Sequence, residues 1–194
     1  GKIAHKFAND LQLSEDVVIQ AVASRSIKKA KEFSLKYNAV NYYSSYEQLA
    51  KDPNIDVVYI ATPHTFHFEN TMLCLRNNKS VLCEKPMGID SIQVKTMINE
   101  AKSRNLFLME GLWTRFIPAT QNLLEIIEEG IIGDLISVRA DFGFKAEYNL
   151  QNRIYNKKLG GGSLLDLGIY PVYLSLLLLG IPVNIKAMAR MTET

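Results

Sequence analysis

Five short stretches of this chain place reactive residue types where a fold could use them. Cys83-Glu84-Lys85-Pro86 sets a charged pair directly after an apolar run. A lysine in such a place can hold a charge or move a proton, and an X–Pro bond can be cis at modest cost, which would fix its direction. The same residues read equally well as a surface turn. Asp166 and Tyr170 stand four apart behind Gly160-Gly161-Gly162, so on a helix they share one face. Successive glycines permit backbone to approach a ligand closely, although a flexible loop before a core helix fits the pattern too. Ala61-Thr62-Pro63-His64-Thr65-Phe66-His67 follows another apolar run. This segment is expected to lie along a ligand, with Thr65 or His67 capping the next helix. His64 and His67 lack a third ligand nearby, so no metal site is expected.

The remaining two stretches concern phosphate. Gly1 and Ala4 fit the last two positions of G-x-G-x-x-G/A, with the strand and first glycine lying before residue 1. Ala23-Ser24-Arg25-Ser26 ends a strand about 20 residues further on, where NAD-binding folds carry an acidic residue for the ribose 2′-hydroxyl. Here Ser24 and Arg25 stand instead, with Lys28 and Lys29 one turn later. A guanidinium forks onto a 2′-phosphate, which a carboxylate would repel. A solvated basic helix start is the plain alternative.

Such residues need elements to position them, and the chain can build them. Its 194 residues are 47% apolar and 22% charged with a net charge of +2, as in a soluble globular protein. That excludes disordered, collagen-like and disulfide-scaffold classes. No basic run marks a nucleic-acid partner. The apolar run Leu174–Leu179 is too short to span a bilayer, and no membrane partner is expected. Cys74 and Cys83 match no metal spacing and read as buried free thiols in a reducing, cytoplasmic compartment.

Apolar runs alternate with amphipathic stretches up to about residue 117. Strands are expected at Val17–Val22, Asn41–Tyr43, Asp56–Ala61, Ser80–Cys83 and Leu106–Met109. Between them come helices: one opening the chain to Asp10, one capped by Ser26, one opened by a Ser44/Glu47 capping box, one over Phe66–Asn77, and one opened by Asp90 or Ser91. This alternation predicts an α/β, doubly wound parallel sheet, which binds ligands at the carboxyl ends of its strands. Beyond it, a helix carrying Leu123, Leu124 and Ile127 stops at Gly130. Ile136–Phe144 alternates with period two, the mark of a half-buried strand, and Asn184–Met191 is a second candidate. A short apolar helix with Pro171 at its start and Gly180 past its end lies between them. The expected organisation is a Rossmann domain over 1–117, lacking its first strand, and part of an α+β domain over 118–194. The chain reads as truncated at both ends, since a stable sheet usually needs more strands.

Taken together, the ASRS turn, the ATPHxxH segment, CEKP, GLWTRFxP and GGGSLLDLGxYP resemble, in this order, the glucose-fructose oxidoreductase/inositol dehydrogenase (Gfo/Idh/MocA) family. The resemblance covers essentially the whole chain. Tyr170, where the inositol dehydrogenase branch usually has histidine, is similar to the dihydrodiol dehydrogenase-type branch. The resemblance implies a mixed open-faced sheet in the second domain, homodimers or larger assemblies through it, and NAD(P)-dependent oxidation of a sugar, polyol or dihydrodiol hydroxyl. It implies Lys85 as the catalytic lysine with Asp166 and Tyr170 as partners. Glu84, Pro86, Trp113 and Arg115 would line the cofactor, and Phe142 and Arg153 are weaker substrate candidates. Thr62, Pro63, His64, His67, Gly1, Ser24, Arg25 and Lys28 complete the expected cofactor site, with NADP(H) preferred over NAD(H). Proton transfer could fall to Tyr170, as a phenolate favoured by an ammonium, or to Lys85 itself. A catalytically silent NADP(H)-binding sensor, or a structural fragment that binds nothing, are the alternatives.

Overall fold

Short β-rich runs become parallel strands, and the amphipathic stretches between them become the covering helices. In this computed structural model, residues 1–189 are described. The order is α1 (Lys2–Leu11), β1 (Ala21–Ala23), α2 (Ile27–Tyr37), β2 (Asn41–Tyr43), α3 (Tyr46–Lys51), β3 (Val57–Ile60), α4 (His67–Arg76), β4 (Ser80–Glu84), α5 (Ser91–Ser103) and β5 (Leu108–Gly111). These make one compact unit, Gly1–Gly111, and a second begins at Leu112.

Every strand pair is parallel, but the strands form two sheets: β1 with β2, and β3-β4-β5. In the doubly wound order the place between β1 and β3 belongs to the strand that precedes the first helix. Helix α1 touches the elements on either side of that place. Phe7 stacks on Tyr59 of β3 at 3.9 Å, and His5 bonds the Tyr37 hydroxyl of α2 at 2.8 Å. The expected strand Val17–Val22 is realised only at its end, where β1 begins at Ala21. Val18, on the approach to it, is 71% exposed rather than buried.

Local chemistry sets the helix ends. Ser26 accepts from the Lys29 N–H, and Asp90 accepts from the Ile92 and Gln93 N–H groups. The capping residue of α3 is Ser45, bonded to the Gln48 N–H, not Ser44 with Glu47. Nor does Thr65 or His67 cap α4, whose capping position is Phe66 with no side-chain bond. Asn38, Asn78 and Asn105 adopt positive φ just past α2, α4 and α5, a conformation asparagine tolerates. Each such turn sends the chain directly into the next strand or its approach.

The second unit is mostly helix and extended chain. A helix α6 (Pro118–Glu128) stops before Gly130, whose φ is +70°. Ile136–Phe144 and residues 184–189 carry no strand, against expectation, and the rest of Asn184–Met191 lies outside the described residues. Alternation makes a segment fit for a sheet, but a strand exists only with a hydrogen-bonded neighbour. Among the described residues neither segment has one. The apolar helix α7 (Ile169–Leu179) follows a π-helical turn, Leu164–Gly168, so Pro171 lies inside the helical run and not at its start. By length and composition Lys157–Leu179 is apolar enough to cross a membrane. Its backbone breaks at Gly160 and Gly162, with φ of +73° and +117°.

The core of the first unit lies where α4 and α5 cover β3 and β4, with Leu75, Val81, Cys83 and Met97 fully buried. Burial pushes the Cys74 and Cys83 thiols up to about 12 from 9.0. The folded pKa is the higher one, so the stability tied to the neutral thiols is complete below pH 9 and lost as pH rises toward 12. Denaturation midpoints should therefore hold steady from about pH 7 to 9 and then drop. A Cys74→Ala, Cys83→Ala double variant should show a shallower alkaline fall; an identical fall would remove the thiols from the account.

Candidate active site

The turn after β4 is the most heavily tied segment of the first unit. Glu84 ends the strand. One carboxylate oxygen accepts the Tyr59 hydroxyl at 2.6 Å, and the other accepts the Lys85 N–H at 3.2 Å. The Lys85–Pro86 bond is cis. The Pro86 carbonyl accepts from His67 at 2.7 Å, and the Met87 N–H donates to Glu110 at 2.7 Å. Three strands and one helix thus converge on four residues. Burial first, and then the bond to Glu84, hold the Tyr59 hydroxyl well above the ordinary tyrosine range. Tyr59 therefore serves Glu84 as a donor.

Gly111 at the end of β5 permits the crowding. A Cβ there would meet the Cys83 carbonyl at 3.3 Å and the Glu84 Cα at 3.4 Å. Tyr59 and Glu110 escaped the sequence reading. Glu110, a carboxylate inside a short strand, was the readable signal; Tyr59 looked like one more strand aromatic.

The loop after β3 lies beside this turn. Its Thr62 carbonyl stands 2.8 Å from the second nitrogen of His67, and its Thr62 hydroxyl accepts from Asn70 at 3.3 Å. His67 is fully buried and turned inward, and His64 is buried beside it with 5.7 Å between ring centroids. Arg25 reaches the same loop from the end of β1, with its guanidinium 5.6 Å from the Phe66 ring centroid. The carboxyl ends of β1 and β3 thus share a side. Ser24 stands at the strand end, accepting the Ser26 N–H at 3.3 Å, while Arg25 and Lys28 are exposed. Gly1 precedes α1 and provides no side-chain cap.

This donor set fits a dinucleotide. Helix N-terminal amides suit a pyrophosphate, and an exposed guanidinium beside a strand end suits a ribose phosphate. Among the described residues no group of three His, Cys, Asp or Glu could hold a metal.

The second unit holds its own constellation. Asp166 is buried in the π-helical turn and pairs with Arg153 at 3.2 Å. Behind it, Gly161 approaches the chain's own backbone. A Cβ at Gly161 would stand 2.7 Å from the Arg153 carbonyl, and the Gly162 N–H donates to the Ile154 carbonyl at 2.8 Å. That contact holds the 153–156 segment where Arg153 can reach Asp166. Tyr170 meets Phe142 edge-on at 5.3 Å. Both line a cavity of about 280 Å³ with Trp113, Thr114, Asp141 and Leu174. Arg115 is exposed on the short 3₁₀ turn Trp113–Phe116.

Comparison with known proteins decides the family. Residues 1–112 match the oxidoreductase family with an NAD-binding Rossmann fold, and residues 120–194 match the GFO/IDH/MocA C-terminal domain. The chain belongs to the GFO/IDH/MocA family. It is 45% identical to a trans-1,2-dihydrobenzene-1,2-diol dehydrogenase of Mus musculus, over all of this chain and 59% of that protein. The Homo sapiens protein of the same name is 44% identical over the same shares. The chain thus spans somewhat over half the length of these relatives.

Solved structures resemble it as well. A levoglucosan dehydrogenase in complex with NADH and levoglucosan superimposes with TM-score 0.75 and 28% identity, covering 84% of this chain and 45% of that one. KijD10, a 3-ketoreductase from Actinomadura kijaniata in complex with NADP and TDP-benzene, gives TM-score 0.76 and 28% identity, covering 89% and 53%.

Proposed function

We propose that the protein is a nicotinamide-dependent oxidoreductase that moves a hydride between cofactor and the hydroxyl or carbonyl carbon of a diol, sugar or polyol. The observation that carries this reading is the Glu84–Met87 turn, tied from three strands and one helix and holding Lys85 at the carboxyl end of β4. Open parallel sheets use that end for ligands.

The chemistry such a cofactor supplies when bound is acceptance and return of a hydride. The chain's own residues have to bind, orient and move the proton that leaves the hydroxyl. Amides at the start of α1 would hold the pyrophosphate, and Arg25 a ribose phosphate. Tyr170 or Lys85 would take the proton. Asp166, buried with a guanidinium partner, would orient the substrate hydroxyl. The cavity walled by Trp113, Phe142, Tyr170 and Leu174 suits the apolar face of a ring-shaped diol or sugar. The names of the relatives support the diol end of this range. Self-association through the second domain belongs to the same reading, as does a reducing compartment for Cys74 and Cys83.

In the full-length protein, Lys85→Ala should lower kcat at least ~100-fold while cofactor still binds. Near-normal kcat in that variant would remove Lys85 from the mechanism.

We further propose NADP(H) as the preferred cofactor. No carboxylate stands at the end of β1, and the exposed Arg25 sits there over Phe66. A cation held over a ring face keeps its edge available for a phosphate. The kcat/KM ratio should favour NADP over NAD, and Arg25→Ala should abolish that preference by weakening NADP alone. A wild-type preference for NAD, or equal weakening of both cofactors, would refute the assignment.

A further inference from the structure

The register of the β3–β4 pair fixes which way Tyr59 faces. Tyr59 lies beside Leu82, and Ile60 lies beside Cys83. Side chains alternate across a sheet, so Leu82 and Glu84 share the face of Tyr59, while Val81 and Cys83, both fully buried, point to the other. On the Tyr59 face, Phe7 of α1 stacks on the Tyr59 ring. A strand tyrosine in that place ordinarily serves packing alone. Here its hydroxyl does more.

The hydroxyl reaches past Leu82 and donates to one oxygen of Glu84 at 2.6 Å. A charge-assisted O–H···O⁻ bond of this length is among the strong ones. The other oxygen accepts the Lys85 N–H at 3.2 Å. That second bond is local, between chain neighbours, and an untethered glutamate would make or lose it by turning about its own single bonds. The bond from Tyr59 removes that freedom, because its donor hangs from a ring on a different strand that is itself stacked on α1. Burial first, and then the bond to Glu84, hold the Tyr59 hydroxyl above the ordinary tyrosine range, so it stays a donor at neutral pH.

We propose that Tyr59 is a positioning residue of the active site, whose hydroxyl holds the Glu84 carboxylate in the orientation that fixes the Lys85 backbone and so aims the lysine. Pro86 has no N–H, so the Lys85–Met87 segment has only two to place. Lys85 gives its own to Glu84 of β4, and Met87 gives its own to Glu110 of β5 at 2.7 Å. Of these two carboxylates, Glu84 adjoins the lysine, and Tyr59 holds it. The role of Lys85 rests on the oxidoreductase reading above; the bond between Tyr59 and Glu84 does not.

The test is Tyr59→Phe in the full-length protein, which deletes the hydroxyl and keeps the ring that Phe7 stacks on. With a trans-dihydrodiol and NADP⁺, kcat should fall on the order of 10-fold, less than the loss from a full ångström of misplacement. KM for diol and for cofactor should each move less than about threefold. In a Glu84→Ala background the same replacement should change kcat less than about twofold, because the hydroxyl has nothing left to act through. A tyrosine that only stabilised the fold would lower the denaturation midpoint and leave kcat, measured well below that midpoint, unchanged. Unchanged kcat in Tyr59→Phe overturns the proposal, and this outcome needs no Glu84 variant to fold. An equal loss with and without Glu84 overturns it too. A wild-type protein that turns over no diol or sugar with either cofactor would refute the oxidoreductase reading, and the positioning role with it. The bond is then read from denaturation midpoints alone: the losses in Tyr59→Phe and Glu84→Ala should be non-additive, and additive losses refute the bond.

Discussion

A single buried imidazole ring spans two loops that have no backbone ladder between them. Parallel strands end with their last carbonyls and amides unpaired, and something must hold the segments that leave the sheet. In this chain His67 does so for β3 and β4, while Glu110 takes the Met87 N–H from the far side. The Lys85 N–H is bonded to the Glu84 carboxylate within the same turn. Polar groups this deeply placed are tolerated because each is matched to a partner.

The neighbouring helix carries a related constraint. Phe7 of α1 stacks on Tyr59, and Tyr59 donates to Glu84. The helix whose first amides suit a pyrophosphate therefore touches, through one aromatic ring, the carboxylate beside the proposed catalytic lysine. One ring stack and one hydrogen bond thus connect α1 with the end of β4.

Much of the first unit was legible before any coordinates. Its strands followed from short apolar or aromatic runs, and its helix starts from Ser26 and Asp90, whose side chains bond amides of the first turn. Val17 and Val18 misled because an apolar run marks residues fit for burial and not the point where a strand begins; both stand exposed ahead of β1. Ile136–Phe144 misled in the same way, since alternation shows which face a strand would bury and not what it pairs with. Lys85, Asp166 and Tyr170 were legible as types at spacings. The roles of Tyr59, Glu110 and His67 were not, because they depend on which atoms converge across β3, β4 and β5. Of the glycines before Asp166, Gly161 packs against the 153–156 backbone, a closeness no spacing in the sequence reveals.

The central claim is direct hydride transfer at the site that the Glu84–Met87 turn builds. The most direct test gives the full-length protein a trans-dihydrodiol carrying deuterium on both carbinol carbons, together with NADP⁺, and follows the label in the cofactor by mass spectrometry. The account predicts one deuterium in the reduced cofactor for each product formed, while the deuterium on the second carbinol carbon leaves to solvent when the ketol aromatises. Reduced cofactor formed without deuterium would contradict it.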